Sequence, residues 1–112
     1  MALKSRAEYT PEKALMMILN DWIAWDEETD NYLYASRGRR MGGRPTRYTV
    51  ARHHVWGHIG FTASSPDVAI VKANQRIAMG DLDRAIEKER QWRASVLDAS
   101  APLDAEPKAG DE

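Results

Sequence analysis

The sequence predicts a mainly α fold, a small single helical domain with a C-terminal helical hairpin and an Arg/Gly-rich loop. Three observations carry that expectation: an amphipathic apolar run after Thr10-Pro11, two closely spaced helix patterns between Ser65 and Leu97, and a glycine- and arginine-rich stretch between them. At 112 residues the chain holds one modest core, and 43% apolar content with four tryptophans argues for a packed fold. The expected domain spans residues 1–99, with an exposed basic loop at 36–47.

Thr10 can cap a helix, Pro11 suits its first position, and Glu12 sits near the positive end of its dipole. Leu15, Ile18, Leu19, Trp22 and Trp25 then recur at three- and four-residue spacing, which predicts a helix over 11–28 with both tryptophans in the core. Its apolar girth makes a homodimer a reasonable expectation. Asp26, Glu27, Glu28 and Asp30 crowd the C-terminal half of this helix, where the dipole disfavours them, so it frays or ends near Thr29. Tyr32, Leu33 and Tyr34 either continue it or pack as an apolar clasp beyond it.

Residues 36–47 contain three glycines, one proline and no apolar period, which is the composition of a loop. Residues 48–60 are ambiguous in period. A short helix capped at Thr49 and ended by Gly57 or Gly60 is favoured over a strand. Ser65-Pro66-Asp67 repeats the order of a helix start, Met79-Gly80-Asp81 reads as a turn with Gly80 just past one helix and Asp81 capping the next, and Leu82, Ala85, Ile86, Trp92, Val96 and Leu97 outline that helix's apolar stripe. The pair forms a hairpin. From Ser100 the composition shifts to Ala, Pro, Asp, Glu and Lys, the signature of a disordered tail over 100–112.

Charge is distributed unevenly. Residues 31–66 carry six arginines, three histidines and no acid, whereas residues 1–30 carry three bases against seven acids and residues 67–112 seven against ten. The net charge of −1 therefore hides a cationic middle able to neutralise phosphates or dock on an acidic protein surface. Arg37, Arg39, Arg40, Arg44 and Arg47 are the leading binding candidates, since guanidinium groups make bidentate contacts to phosphate and carboxylate. Arg52 and Trp56 extend the set, because an aromatic among arginines can stack bases or fill a partner's pocket.

Signals for catalysis are weak. His54 and His58 stand four apart, a spacing at which one helix face can grip zinc, but the metalloprotease pattern wants glutamate where Val55 stands, so no metal is expected. The acids at 26–30 read as a solvated charge run. The dinucleotide-binding and P-loop glycine patterns are absent, and no serine lies in a nucleophile-elbow context. Zero cysteines leave no disulfide framework and no thiolate nucleophile, which suits a reducing, cytoplasmic location. No apolar run approaches the roughly 20 residues of a membrane span, and Met1–Tyr9 lacks a signal-peptide core.

The order of an early Trp-containing helix (Leu19-Asn20-Asp21-Trp22-Ile23-Ala24-Trp25), a Gly/Arg-rich linker, and a Ser-Pro-Asp start to a helical pair ending Ala85-Ile86-Glu87-Lys88-Glu89-Arg90-Gln91-Trp92 resembles small phage regulators of the late-gene antitermination class. That resemblance implies DNA or RNA-polymerase binding without catalysis. The expected function is thus a non-enzymatic regulator, needing no cofactor, whose arginine-rich segment meets nucleic acid or the transcription machinery. The alternative is an inhibitor or adaptor that docks the same arginines on an acidic protein.

Overall fold

The computed structural model describes residues 2–36 and 46–105, with the side chains of the last helix followed as far as Asp98. The chain builds a mixed α/β fold, not a mainly α one. Five antiparallel strands, β1 (Lys4–Ser5), β2 (Ala24–Asp26), β3 (Asn31–Ala35), β4 (Thr46–Arg52) and β5 (His58–Ala63), lie in a sheet in chain order. A short 3-10 turn (Arg6–Glu8) and α1 (Pro11–Leu19) connect β1 to β2, and α2 (Pro66–Ala78) and α3 (Asp81–Ala105) follow β5.

The expected helix over 11–28 is real only in its first half. Thr10 Oγ1 accepts from the Lys13 amide at 3.4 Å and Pro11 opens α1, as its residue types dictate. Asn20 and Asp21 then stop it: Asn20 caps the last turn through its side-chain amide, and Asp21 takes a left-handed backbone with φ 62°. Short polar side chains tolerate that conformation better than apolar ones. The apolar spacing of Trp22 and Trp25 continues past this reversal into β2, which is what makes one long helix look plausible in the sequence.

The acids at 26–30 form a hairpin turn. The Asp26 carboxylate accepts from the Glu28 amide at 3.0 Å and from Thr29 Oγ1 at 2.9 Å, while Asp30, at φ 63°, closes the turn by donating its amide to the Asp26 carbonyl. Tyr32, Leu33 and Tyr34 continue neither a helix nor a clasp; they are the centre of β3. The expected short helix over 48–60 is likewise replaced by the β4–β5 hairpin, whose turn places His54 at φ 65° and Gly57 at φ 116°.

Strand alternation sorts the sheet into two faces. Ala24, Leu33, Tyr48, Val50 and Ala63 point to one side and pack under α2 and α3 with Ala69, Ala73 and Leu82, while Ile59, Phe61, Ile70, Ile77 and Ile86 close the edges. Asn74 clasps the first strand to α2, accepting from the Leu3 amide at 2.8 Å and donating to the Leu3 carbonyl at 3.3 Å. On the other side a smaller cluster of Met17, Trp22 and Trp25, with Tyr9, Met16 and Tyr32 against it, seats α1 beside β2. This second layer reaches no farther than Tyr32, so among the described residues no helix lies over the β3–β4–β5 part of that face.

The helical hairpin follows the sequence closely. Ser65 caps α2 by accepting from the Val68 amide at 3.2 Å, and Gly80, at φ 85°, turns the chain into α3. Asp81 accepts from Arg76 Nε and Arg84 Nη2, holding the two helices together. The hydrogen bond from Arg76, aided by that from Arg84, lowers the Asp81 carboxyl pKa below the usual carboxylate range. A lowered folded-state pKa contributes stability that is present above the ordinary carboxylate range and lost as pH falls through the folded value. Asp81→Asn should therefore lower the urea midpoint at about pH 7, and the loss should shrink as the pH is taken down through the acidic range; a loss that does not change with pH would show that the ion pairs contribute nothing. α3 is helical through Ala105, and the rest of the expected tail, residues 106–112, lies outside the described residues.

Candidate nucleic-acid interface

The helix-free face is built from cross-strand rows fixed by the register. Trp25, Tyr32, Ala51 and His58 form one row, Tyr34, Thr49 and Gly60 the next, and Arg47 and Thr62 a third at the end of β4 and β5. Across this surface the aromatic rings stack in sequence. Trp22 lies 4.6 Å from Tyr32 at an interplanar angle of 16°, and Tyr32 lies 5.9 Å from Tyr34 at 27°. Trp25 joins from below, 6.1 Å from Trp22, and Tyr9 stands 5.3 Å beyond it. The column runs from the buried α1 cluster out along β3 and ends at Tyr34.

Hydrogen bonds hold the buried end of the column in place. Trp25 Nε1 donates to Asp30 Oδ1 at 2.8 Å, and Tyr9 Oη donates to the Trp25 carbonyl at 2.6 Å. His53 pairs through Nδ1 with Asp30 Oδ2 at 3.2 Å and sets its ring edge-on to Trp22 at 5.1 Å. His54 stacks on His53 at 3.7 Å. Burial, reinforced by the neighbouring Tyr34 and the Asp30 carboxylate, raises the Tyr32 hydroxyl pKa, so it stays a protonated donor at neutral pH.

Tyr32 and Tyr34 form the shared wall of two grooves. One, of about 780 Å³, runs between them and Arg6, Asn20, Asp21 and Ser36; the other, of about 400 Å³, lies toward Ala51, His54, Trp56 and His58. At the Tyr34 end, Ser36 Oγ and Thr49 Oγ1 share a hydrogen bond of 2.6 Å. The exposed Arg47 lays its guanidinium over Gly60, where a Cβ would stand 2.8 Å from Nη2. Only glycine lets the guanidinium lie that close to the backbone.

The sequence candidates meet different fates. Arg37, Arg39, Arg40 and Arg44 lie outside the described residues, in the segment joining Ser36 to Thr46. Arg47 is not in a loop but on β4. Arg52 points to the opposite, helix-covered side, where its Nε donates to Asn31 Oδ1 and its Nη2 to Asp83 Oδ1, both at 2.8 Å. It ties the sheet to α3. Trp56 stands 67% exposed at the β4–β5 turn, with the Arg93 guanidinium 4.0 Å over its ring, a cation–π contact. His54 and His58 fall at a turn and a strand start, so the helical spacing that would pair them does not form. No group of three His, Cys, Asp or Glu among the described residues is arranged to hold a metal ion.

Sequence reasoning missed Tyr32, Tyr34, Ser36 and Thr49 as site residues. The signal was the alternation Tyr32-Leu33-Tyr34, with aromatics on one face and Leu33 on the other, facing the β-branched Thr49 and Val50 across the hairpin. Compared with family models, with curated proteins and with solved structures, the chain matches none. No helix among the described residues is long and apolar enough to cross a membrane.

Proposed function

We propose that this chain is a non-enzymatic nucleic-acid-binding regulator that works in the cytoplasm and meets its ligand on the helix-free face of β3, β4 and β5. The observation that carries the reading is the stacked Tyr32–Tyr34 pair standing between two grooves, with the exposed Arg47 on the same sheet face, its guanidinium over Gly60 two strands away. Aromatic rings on an open sheet supply stacking, and arginine supplies phosphate contacts. The chain between Ser36 and Thr46, the two ends of this same edge, adds Arg37, Arg39, Arg40 and Arg44 without one acid.

Titration with duplex and single-stranded oligonucleotides at about 50 mM salt tests this. Affinity on the order of 10⁻⁴–10⁻⁶ M or better is expected, falling with salt. Replacing Arg47, or Arg39, Arg40 and Arg44 together, by Ala should flatten the log–log salt slope by about 0.7–0.9 per lost phosphate contact. An absence of binding to either form sinks the reading.

A second reading, a protein-docking adaptor, is favoured by a different surface. Trp92 and Leu97 of α3 are 60% and 68% exposed, and an apolar groove of about 400 Å³ runs between that helix and Val55 and Trp56, rimmed by Arg90 and Arg93. Arg90 and Arg93 are each paired with a glutamate of α3, Glu87 and Glu89, so the groove offers an apolar floor with a charge-balanced rim, which suits an amphipathic protein surface. A stoichiometric protein partner retained after nuclease treatment, with no oligonucleotide binding, would promote it.

A further inference from the structure

We infer that the ligand is a single-stranded nucleic acid, one of whose unpaired bases stacks on the face of Tyr34 turned away from Tyr32; this rests on the nucleic-acid reading above and specifies its substrate. Trp22, Tyr32 and Tyr34 form a continuous stack that is closed at its inner end by Trp25 and Tyr9. At the outer end it stops: Tyr34 makes no other aromatic contact among the described residues, and open groove lies on both sides of it. A ring stacked on one side only offers its second face to another flat π system of similar size. A nucleobase fits that description when it is unpaired and unstacked. In a duplex both faces of each base are already covered.

The remaining side chains of the face favour the same substrate. Reading a duplex through its grooves requires protruding groups with bidentate donors and acceptors. Here the rows beside Tyr34 contain Ala51, Gly60 and Thr49, and the Thr49 hydroxyl is already engaged by Ser36. Thr49 and Ala51 are themselves buried, 6% and 7% exposed, so these rows hold no protruding group that could enter a groove of a duplex, and the open space lies in the two grooves beside Tyr34. Arg47, on the neighbouring row with its guanidinium over Gly60, puts a cation on the same face two strands from Tyr34, within reach of a strand's backbone rather than of the stacked base. Stacking of this kind tolerates any base, since every base has a π face.

Fluorescence anisotropy of the full chain with labelled 12-mers separates the possibilities. The probes are an adenine-bearing DNA strand, its RNA counterpart, an abasic strand of equal length and charge, and an adenine–thymine DNA duplex. The base-bearing strands should bind about five- to a hundredfold more tightly than the abasic strand, the range expected for stacking one base on an aromatic. Tyr34→Ala should reduce their affinity to the abasic level, and Tyr34→Phe should recover it, because the ring and not the hydroxyl makes the contact. A tighter RNA complex than DNA complex would identify RNA as the natural strand, and the reverse DNA. Equal affinity for base-bearing and abasic strands, or tighter binding of the duplex, overturns the inference while leaving nucleic-acid binding in place. Failure to bind any of the four overturns both. The wild-type comparison of base-bearing with abasic strands does not depend on how well either variant folds.

Discussion

Trp22→Ala should remove about a third or more of the protein's stability and sharply lower its unfolding midpoint. The indole is 5% exposed, stacks 4.6 Å from Tyr32, meets Trp25 at 6.1 Å and receives the edge of His53 at 5.1 Å. Large-to-small truncation of a buried aromatic costs about 3–5 kcal/mol, through lost transfer free energy and the cavity left behind. A domain of this size has on the order of 5–15 kcal/mol in total. The cluster around Met17 is also what fixes α1 to the sheet, and few other buried groups on that face could close over the gap. Urea unfolding followed by circular dichroism should show the loss directly. A change below about 1 kcal/mol would mean that the second layer is not needed by the fold.

Gly57→Ala should be nearly as damaging, for a different reason. Gly57 has φ 116°, a backbone region that L side chains rarely adopt, and a Cβ there would stand 2.7 Å from Ile86 Cα and 3.1 Å from the Ala85 carbonyl oxygen. Both obstacles are backbone of α3, so no rotamer change clears them. Strain and overpacking together should cost about 2–4 kcal/mol. Gly80→Ala is the natural control: its φ of 85° is also positive, but the nearest group is the far end of the flexible Arg84 side chain, at 3.0 Å. If the two variants lost equal stability, close packing of the hairpin on α3 would not be the cause. With Gly57→Ala the turn should also lift away from α3, and tryptophan fluorescence should report the separation of Trp56 from Arg93.

Helix starts were legible in the sequence because their causes are local. Thr10-Pro11 and Ser65-Pro66 act through one turn of backbone and sit where those residue types place them, whereas Asp81, expected to cap α3, is its first residue and gives its carboxylate to Arg76 and Arg84. Strands were not legible for the complementary reason. Leu15 to Trp25 keeps a helical apolar spacing through the Asn20-Asp21 reversal, so periodicity alone runs α1 and β2 together. Tyr32 to Tyr34 alternates over three residues, too few to outweigh that pattern, and Tyr48 to Arg52 needs its partners on β3 and β5 before its faces can be assigned. The candidate site suffered the same way. Among the arginines the sequence singles out, Arg47 lies on the face opposite α2 and α3, yet Arg52 has the same chemistry and faces the helices. Only the parity of strand positions separates the two, and parity has no meaning until the strand is known.

Strand order that matches chain order has a consequence for how the molecule assembles. Every neighbour in the sheet is reached through the preceding connection, so β2 to β5 can form by successive hairpins whose closure entropy is small. The exception is the clasp of Leu3 by Asn74, which joins residues 71 positions apart. That contact is available only once α2 has docked, and it holds a strand of two residues. β1 is therefore the last piece to arrive and the first to leave: amides of the opening residues should exchange with solvent while those of β3 and β4 stay protected, and the molecule breathes from its amino-terminal edge.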